Sequence, residues 1–134
     1  LVKWQIRIAS QINLPFKQED INLHGASIEC RINAAGGGKV SFLHIPGGTR
    51  VSFDTALVQD AEVTPFYDSM IGKLITAGKD REEAVRKMES ALCELVISGV
   101  ATNIEQQLEI IRSPQFQSGL YDTAWLQKRK EARA

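Results

Sequence analysis

Apolar residues recur through the first ten positions, LVKWQIRIAS, at Leu1, Trp4 and Ile8, with Val2, Ile6 and Ala9 beside them. That spacing covers one broad helical face and predicts a packed helix, which NLPFKQED breaks at Pro15. The period then changes. ASIECRINA sets Ile28, Cys30 and Ile32 against Glu29, Arg31 and Asn33, the alternation of a half-buried strand. KVSFLHI reads as a second strand, PGG at Pro46 to Gly48 as a turn, and RVSFDTA as a third strand, with Val51, Phe53 and Thr55 against Arg50, Ser52 and Asp54. These three predict an antiparallel meander. A further strand region runs through AEVTPFYDSMIGKLITAG, where Pro65 predicts an edge position or a bulge and Gly72 a close backbone approach. The sheet is expected to end near Gly78.

The second half reads as helix. Asp80 caps it and Glu83, three residues on, completes a capping box, while Val85, Met88, Leu92 and Leu95 line one face up to an end near Gly99. Thr102 and Glu105 repeat the box ahead of Ile104, Leu108 and Ile111, until Pro114 stops that helix. A third, shorter helix is expected from Asp122, carrying Trp125 and Leu126, and KRKEARA is expected to fray. Strands first and helices after predict an α+β domain, a mainly antiparallel sheet with three to four helices packed on it. The expected layout is one domain over 1–134: an entry helix and connector over 1–22, the sheet over 23–78 and the helices over 79–134.

Length and charge narrow the function classes. A chain of 134 residues suits one core, burying roughly two-thirds of the surface its unfolded form exposes. Sixteen basic side chains balance sixteen acidic ones, so no long-range field draws the protein to nucleic acid or an anionic membrane. Apolar runs such as LCELVISGV fall short of the ~20 residues that span a bilayer, and a soluble chain is expected. It begins at Leu1, inside the first amphipathic pattern, so the natural start is expected to be missing. Cys30 and Cys93 form no C-x-x-C pair and are expected as buried, reduced thiols of a cytoplasmic protein.

Candidate chemistry is sparse. INAAGGGKVSF places three glycines and Lys39 between two strand patterns, but Val40 follows the lysine, no upstream glycine has P-loop spacing, and a strand follows where a phosphate cradle needs a helix. The run therefore reads as a tight connector. His24 and His44 have no second ligand at a metal interval, and no metal site is expected. Ser41, Ser52 and Ser69 lack a nucleophile elbow, and neither cysteine sits in a catalytic signature. The strongest polar constellation lies on strand faces: Glu29, Arg31 and Asn33 on one, Arg50, Ser52 and Asp54 on another. Neighbouring strands can join these into a charged patch or leave a solvated sheet face.

HGASIECRINA, then HIPGG and PFYDSMIGKLI, then a capped helix followed by VATNIEQQ, together resemble the C-terminal domain of biotin carboxylase, over nearly the whole chain. That enzyme is the ATP-dependent component of acetyl-CoA carboxylase, in fatty acid biosynthesis, and of related carboxylases. The resemblance implies a parent in which a central ATP-grasp domain binds MgATP and bicarbonate, carboxyphosphate forms, and carbon dioxide passes to biotin on a carrier protein. Its implied partners are the ATP-grasp and N-terminal domains, the biotin carrier protein and a second biotin carboxylase subunit. LVKWQIRIAS resembles the helix that follows the parent's metal-binding segment, which is absent here.

Several positions depart from the family pattern. The family resemblance puts an active-site arginine at the position of Ser52, and a serine supplies neither fixed charge nor a bidentate fork. Thr123 falls near a position that lines the adenine pocket in the family. After RINA the family carries an acid and a longer loop, so Ala35 and the three glycines imply an excision. Ser98, Gln106 and Gln107 stand where the family often has an acid or larger apolar groups, some of them facing a neighbouring domain or protomer. The expectation is an isolated, engineered biotin carboxylase C-terminal domain, non-catalytic alone, with no cofactor of its own, acting as a scaffold. The alternatives are a designed homodimer module and a fragment of an active enzyme.

Overall fold

The computed structural model describes residues 1–131. In chain order the elements are α1 (Val2–Ala9), a 3-10 turn (Gln18–Asp20), β1 (Ala26–Asn33), β2 (Gly38–Lys39), β3 (Phe42–His44), β4 (Val51–Asp54), β5 (Glu62–Val63), β6 (Met70–Gly78), α2 (Arg81–Glu94), β7 (Val96–Ser98), α3 (Ile104–Arg112), α4 (Pro114–Ser118) and α5 (Trp125–Glu131). The antiparallel pairing and the helices after the sheet agree with the α+β expectation.

The strand order does not follow a meander. The main sheet runs β1-β6-β4, every pair antiparallel, so the last long strand sits between two earlier ones. Burial explains the placement. Gly72, Leu74, Thr76 and Gly78 of β6 are buried on the helix side, while Ile71, Lys73, Ile75 and Ala77 are half-buried on the other. Glu29, Arg31, Ser52 and Asp54 of β1 and β4 are exposed, which suits flanking strands. KVSFLHI splits as well: Lys39, with Gly38 ahead of it, pairs with β5, and Phe42–His44 pairs with β7. Pro65 lies in the link between β5 and β6. Gly72 does meet a close approach, from a ring rather than a backbone, since a Cβ there runs into the Phe53 ring.

The core lies between this sheet and α2. Ile28, Cys30 and Ile32 from β1, Leu74 from β6, and Ala84, Val85, Met88, Ala91 and Leu92 from α2 are all buried. The buried Thr76 hydroxyl donates to the Ala84 carbonyl at 3.0 Å, which satisfies it without water. The glycine connector packs backbone against backbone: a Cβ on Gly38 falls 2.5 Å from the Gly99 carbonyl oxygen, and Gly99 itself has φ +88°. Those contacts, rather than chain reversal alone, require glycine.

Asp80 caps α2 by accepting from the Glu83 N–H at 2.8 Å, and the Glu83 carboxylate accepts from the Lys79 N–H at 2.8 Å. That backbone bond, helped by the Lys87 ammonium, lowers the Glu83 pKa from 4.5 to about 2. The stabilisation is therefore complete above pH 4.5 and lost as pH falls towards about 2. Thermal unfolding of Glu83→Gln is expected to flatten the acid limb of stability in that window, and an acid limb parallel to that of the unmodified chain contradicts the assignment.

Other expectations are corrected by local competition. The helix predicted to reach Gly99 ends at Glu94, and β-branched Val96 and Ile97 form β7 on β3. Thr102 does not cap α3, whose N-cap is Asn103, and that side chain is spent on β1 instead. Pro114 ends α3 and opens α4, with the Ser113 hydroxyl accepting from the Phe116 N–H at 3.4 Å. KRKEARA is helical through Glu131, held by Lys128 against Asp122 at 3.3 Å and Arg129 against Glu109 at 3.9 Å. Its last three residues lie outside the described ones. Phe116 and Tyr121 stack at 5.3 Å and Trp125 is tilted against Tyr121 at 5.5 Å, with the Arg81 guanidinium over Phe116.

The first helix forms but does not pack on the core. No residue of α1 is buried, and its one aromatic packing is edge-on, Trp4 against Phe16 in its own connector at 5.5 Å. Leu1, Val2, Ile6, Ile8, Ile12 and Leu14 stay exposed. Among the described residues no helix is long and apolar enough to cross a membrane.

Candidate functional site

The side of the β1-β6-β4 sheet opposite α2 is open, and register alone fixes how its side chains line up. Ser27, Ala77 and Arg50 make a row at one end, since Ser27 is opposite Ala77 and the Ala77 N–H donates to the Arg50 carbonyl. Glu29, Ile75 and Ser52 make the next row, and Arg31, Lys73 and Asp54 the third. The two polar strand faces therefore share one surface, but β6 separates them and contributes Lys73.

The third row carries the chemistry. Arg31 and Lys73 are direct cross-strand neighbours, and like charges facing each other across a ladder are destabilising. Arg31 is partly balanced by Glu29, with Nε to Oε1 at 3.4 Å, while the Lys73 ammonium makes no ion pair among the described residues. The Arg31 backbone is fixed from beneath. Its carbonyl accepts from Asn103 Nδ2 at 3.1 Å and from Gln107 Nε2 at 3.2 Å, and Asn103 Oδ1 accepts from the Asn33 N–H at 2.8 Å, where the register shifts. Thus α3 holds the strand end that presents the guanidinium.

A shallow groove of about 630 Å³ continues from this row, walled by Asp54, Thr55, Leu57, Tyr67, Asp68 and Lys73 among others. Tyr67 and its neighbour Phe66 are almost wholly exposed, at 92% and 94%. The arrangement offers two cations for an oxyanion, two flanking carboxylates, and exposed aromatic surface beside them.

The other candidates fall elsewhere. Ser52 is exposed and opposite Ile75, one row from Arg31, while Asn33 pairs with Met70 beyond the charged row. Thr123 is exposed in the turn ahead of α5 and lines no part of the groove. Lys39 of the glycine run is paired with Asp60 at 2.8 Å, and His44 with Glu94 at 3.2 Å. Cys30 is buried as expected, and burial pushes its thiol up to about 12. Cys93 is exposed, contrary to expectation, with its sulfur 3.5 Å from Arg112 Nη2. Among the described residues no three His, Cys, Asp or Glu side chains gather as metal ligands do. Sequence reasoning missed Lys73, Asn103 and Gln107 as parts of one site; the only signal was a lysine inside the apolar run MIGKLI.

A family model described as biotin carboxylase C-terminal domain matches residues 29–128. The chain is 45% identical to the biotin carboxylase of Haemophilus influenzae over 96% of its own length, and spans 30% of that relative. It is 41% identical to biotin carboxylase 1 of Bacillus subtilis, covering 95% of this chain and 30% of that one. Among solved structures it superposes on the biotin carboxylase domain dimer of Hydrogenobacter thermophilus 2-oxoglutarate carboxylase, bound to MgADP, ADP and bicarbonate, with a TM-score of 0.83 and 40% identity over 96% of this chain and 30% of that one.

Proposed function

Because the chain belongs to the biotin carboxylase C-terminal domain family, we propose that it forms one wall of a biotin carboxylase site, with its open sheet face towards the reactants. The observation that carries this reading is the Arg31–Lys73 cross-strand pair, two cations kept side by side at a cost to the sheet. In the reaction that the family implies, bicarbonate is activated with ATP and its carbon passes to biotin on a carrier. Arg31 holds a bicarbonate oxygen pair by its planar fork, and Lys73 adds a point charge where negative charge builds up. Asn103 and Gln107 keep the Arg31 backbone from shifting. Ser52, at the position the resemblance gives to an arginine, leaves that work to β1 and β6.

The described residues hold no cluster suited to magnesium. The reading assigns nucleotide and metal binding to the roughly 70% of the relatives' length that this chain does not span. Alone, the chain is expected to turn over no ATP.

The N-terminal arm supports the same reading. Large exposed apolar surface marks a contact, and Leu1 at the N-cap of α1, with Val2, Ile6 and Ile8 on the helix, are all exposed. A scaffold altered to stand alone calls for polar groups there. The arm instead suits a seam with the rest of a longer carboxylase. Sedimentation of the isolated chain is expected to reveal self-association that rises with concentration, weakened at least tenfold by Ile6→Glu with Ile8→Glu. A monomer at every concentration sinks the seam and favours the scaffold.

A further inference from the structure

The first row of the open face ends in a second, separate site. His24 and Gly25 ahead of β1, Arg50 ahead of β4, and Gly78 with Lys79 at the end of β6 line a pocket of about 600 Å³. It lies four residues along β1 from Arg31, about 13 Å at strand spacing, and shares no residue with the groove beside Lys73. Every titratable group lining it is basic: His24, Arg50 and Lys79. None of the three side chains makes an ion pair or hydrogen bond among the described residues. The nearest acids of α2 are committed, Asp80 to the Glu83 N–H, and Glu83 to the Lys79 N–H and the Lys87 ammonium at 2.9 Å. The Ser27 hydroxyl is likewise spent on the Thr76 carbonyl at 3.0 Å.

The Arg50 backbone is held in place. Its φ is +62°, left-handed backbone that a long side chain adopts only at a cost. Its carbonyl is clamped by the Ala77 N–H at 3.0 Å, which holds that conformation and the direction from which the side chain leaves the strand. Glycine adopts that conformation without strain, so Arg50→Gly removes the guanidinium without a backbone penalty.

We propose that this pocket binds a phosphate group, with Arg50 as the fork, Lys79 as the second charge and His24 as a further N–H donor. Three cationic or donor groups lining one pocket without a carboxylate fit a dianion with several acceptor oxygens better than a monoanionic carboxylate. The site is independent of the Arg31 reading and stands or falls without it.

The test is a titration of the isolated chain with inorganic phosphate at constant ionic strength, following the backbone amide shifts of Gly25, Gly78 and Lys79. Saturable shifts confined to these amides are expected. Affinity falls at least fivefold in Arg50→Gly, which relieves the backbone and keeps the fold, and in Lys79→Gln, whereas Lys17→Gln, at an exposed lysine that lines neither pocket, leaves it unchanged. Acetate is expected to bind at least fivefold more weakly. Glycerol 3-phosphate separates the sources: equal binding assigns the site to a phosphate ester, and binding of inorganic phosphate alone to the free ion, either of which upholds a phosphate site. Unsaturable shifts, shifts spread over the surface, or affinity indifferent to Arg50→Gly and Lys79→Gln overturn it.

Discussion

Leu74→Ala is expected to cost the chain about 3–4 kcal/mol of unfolding free energy, within the ~2–5 kcal/mol seen for buried leucine truncation. Leu74 has no exposed surface and lies at mid-length of the central strand. Cys30 on one side and Phe53 on the other are its cross-strand partners, and α2 packs over that face of β6. Three walls of regular structure surround it, and none can collapse into the space without breaking ladder bonds. The cavity term is therefore close to its full value. Urea unfolding reads the effect as a lower midpoint with an unchanged slope. Ile75→Ala, one residue along but on the half-buried open side, is expected to cost at most about half as much, because less surface returns to water there. Equal losses at the two positions contradict a core lying only on the α2 side.

That contrast between neighbouring residues was partly legible in the sequence. The two-residue alternation of Ile28, Cys30 and Ile32 and the helical spacing of Val85, Met88 and Leu92 each put the right residues inside. Asp80 was readable as a cap, because its side chain serves its own helix. Asn103 was not, because its carboxamide serves a strand seventy residues earlier. Local periodicity also carries no information on which strand lies beside which. The charged rows of β1 and β4 were visible one at a time, while Lys73 joined them only once β6 was placed between them. The strand β7 was hidden for a related reason: Leu95, Val96 and Ile97, apolar residues directly after a helix, read as more helix until β3 supplies a pairing edge. For α1 the pattern gave the amphipathic face correctly but not what covers it.

The second large effect concerns chemistry rather than folding. Arg31 is exposed and its side chain supports no core contact, so Arg31→Ala is expected to leave the unfolding free energy of the isolated chain within about 0.5 kcal/mol. Its role under the proposed function is to meet developing negative charge with a fixed fork, and removal of one such donor typically costs 10²–10³-fold in turnover. Arg31→Lys keeps the charge but loses the fork, and is expected to recover only part of that loss.

The central claim is that the open β1-β6-β4 face is a working wall of a biotin carboxylase site. Its most direct test is bicarbonate-dependent ATP turnover by a polypeptide in which this chain is completed to the length of its relatives, with and without Arg31→Ala. The account predicts a fall of about 10²–10³-fold with the fold intact; turnover within twofold of the unsubstituted polypeptide contradicts it.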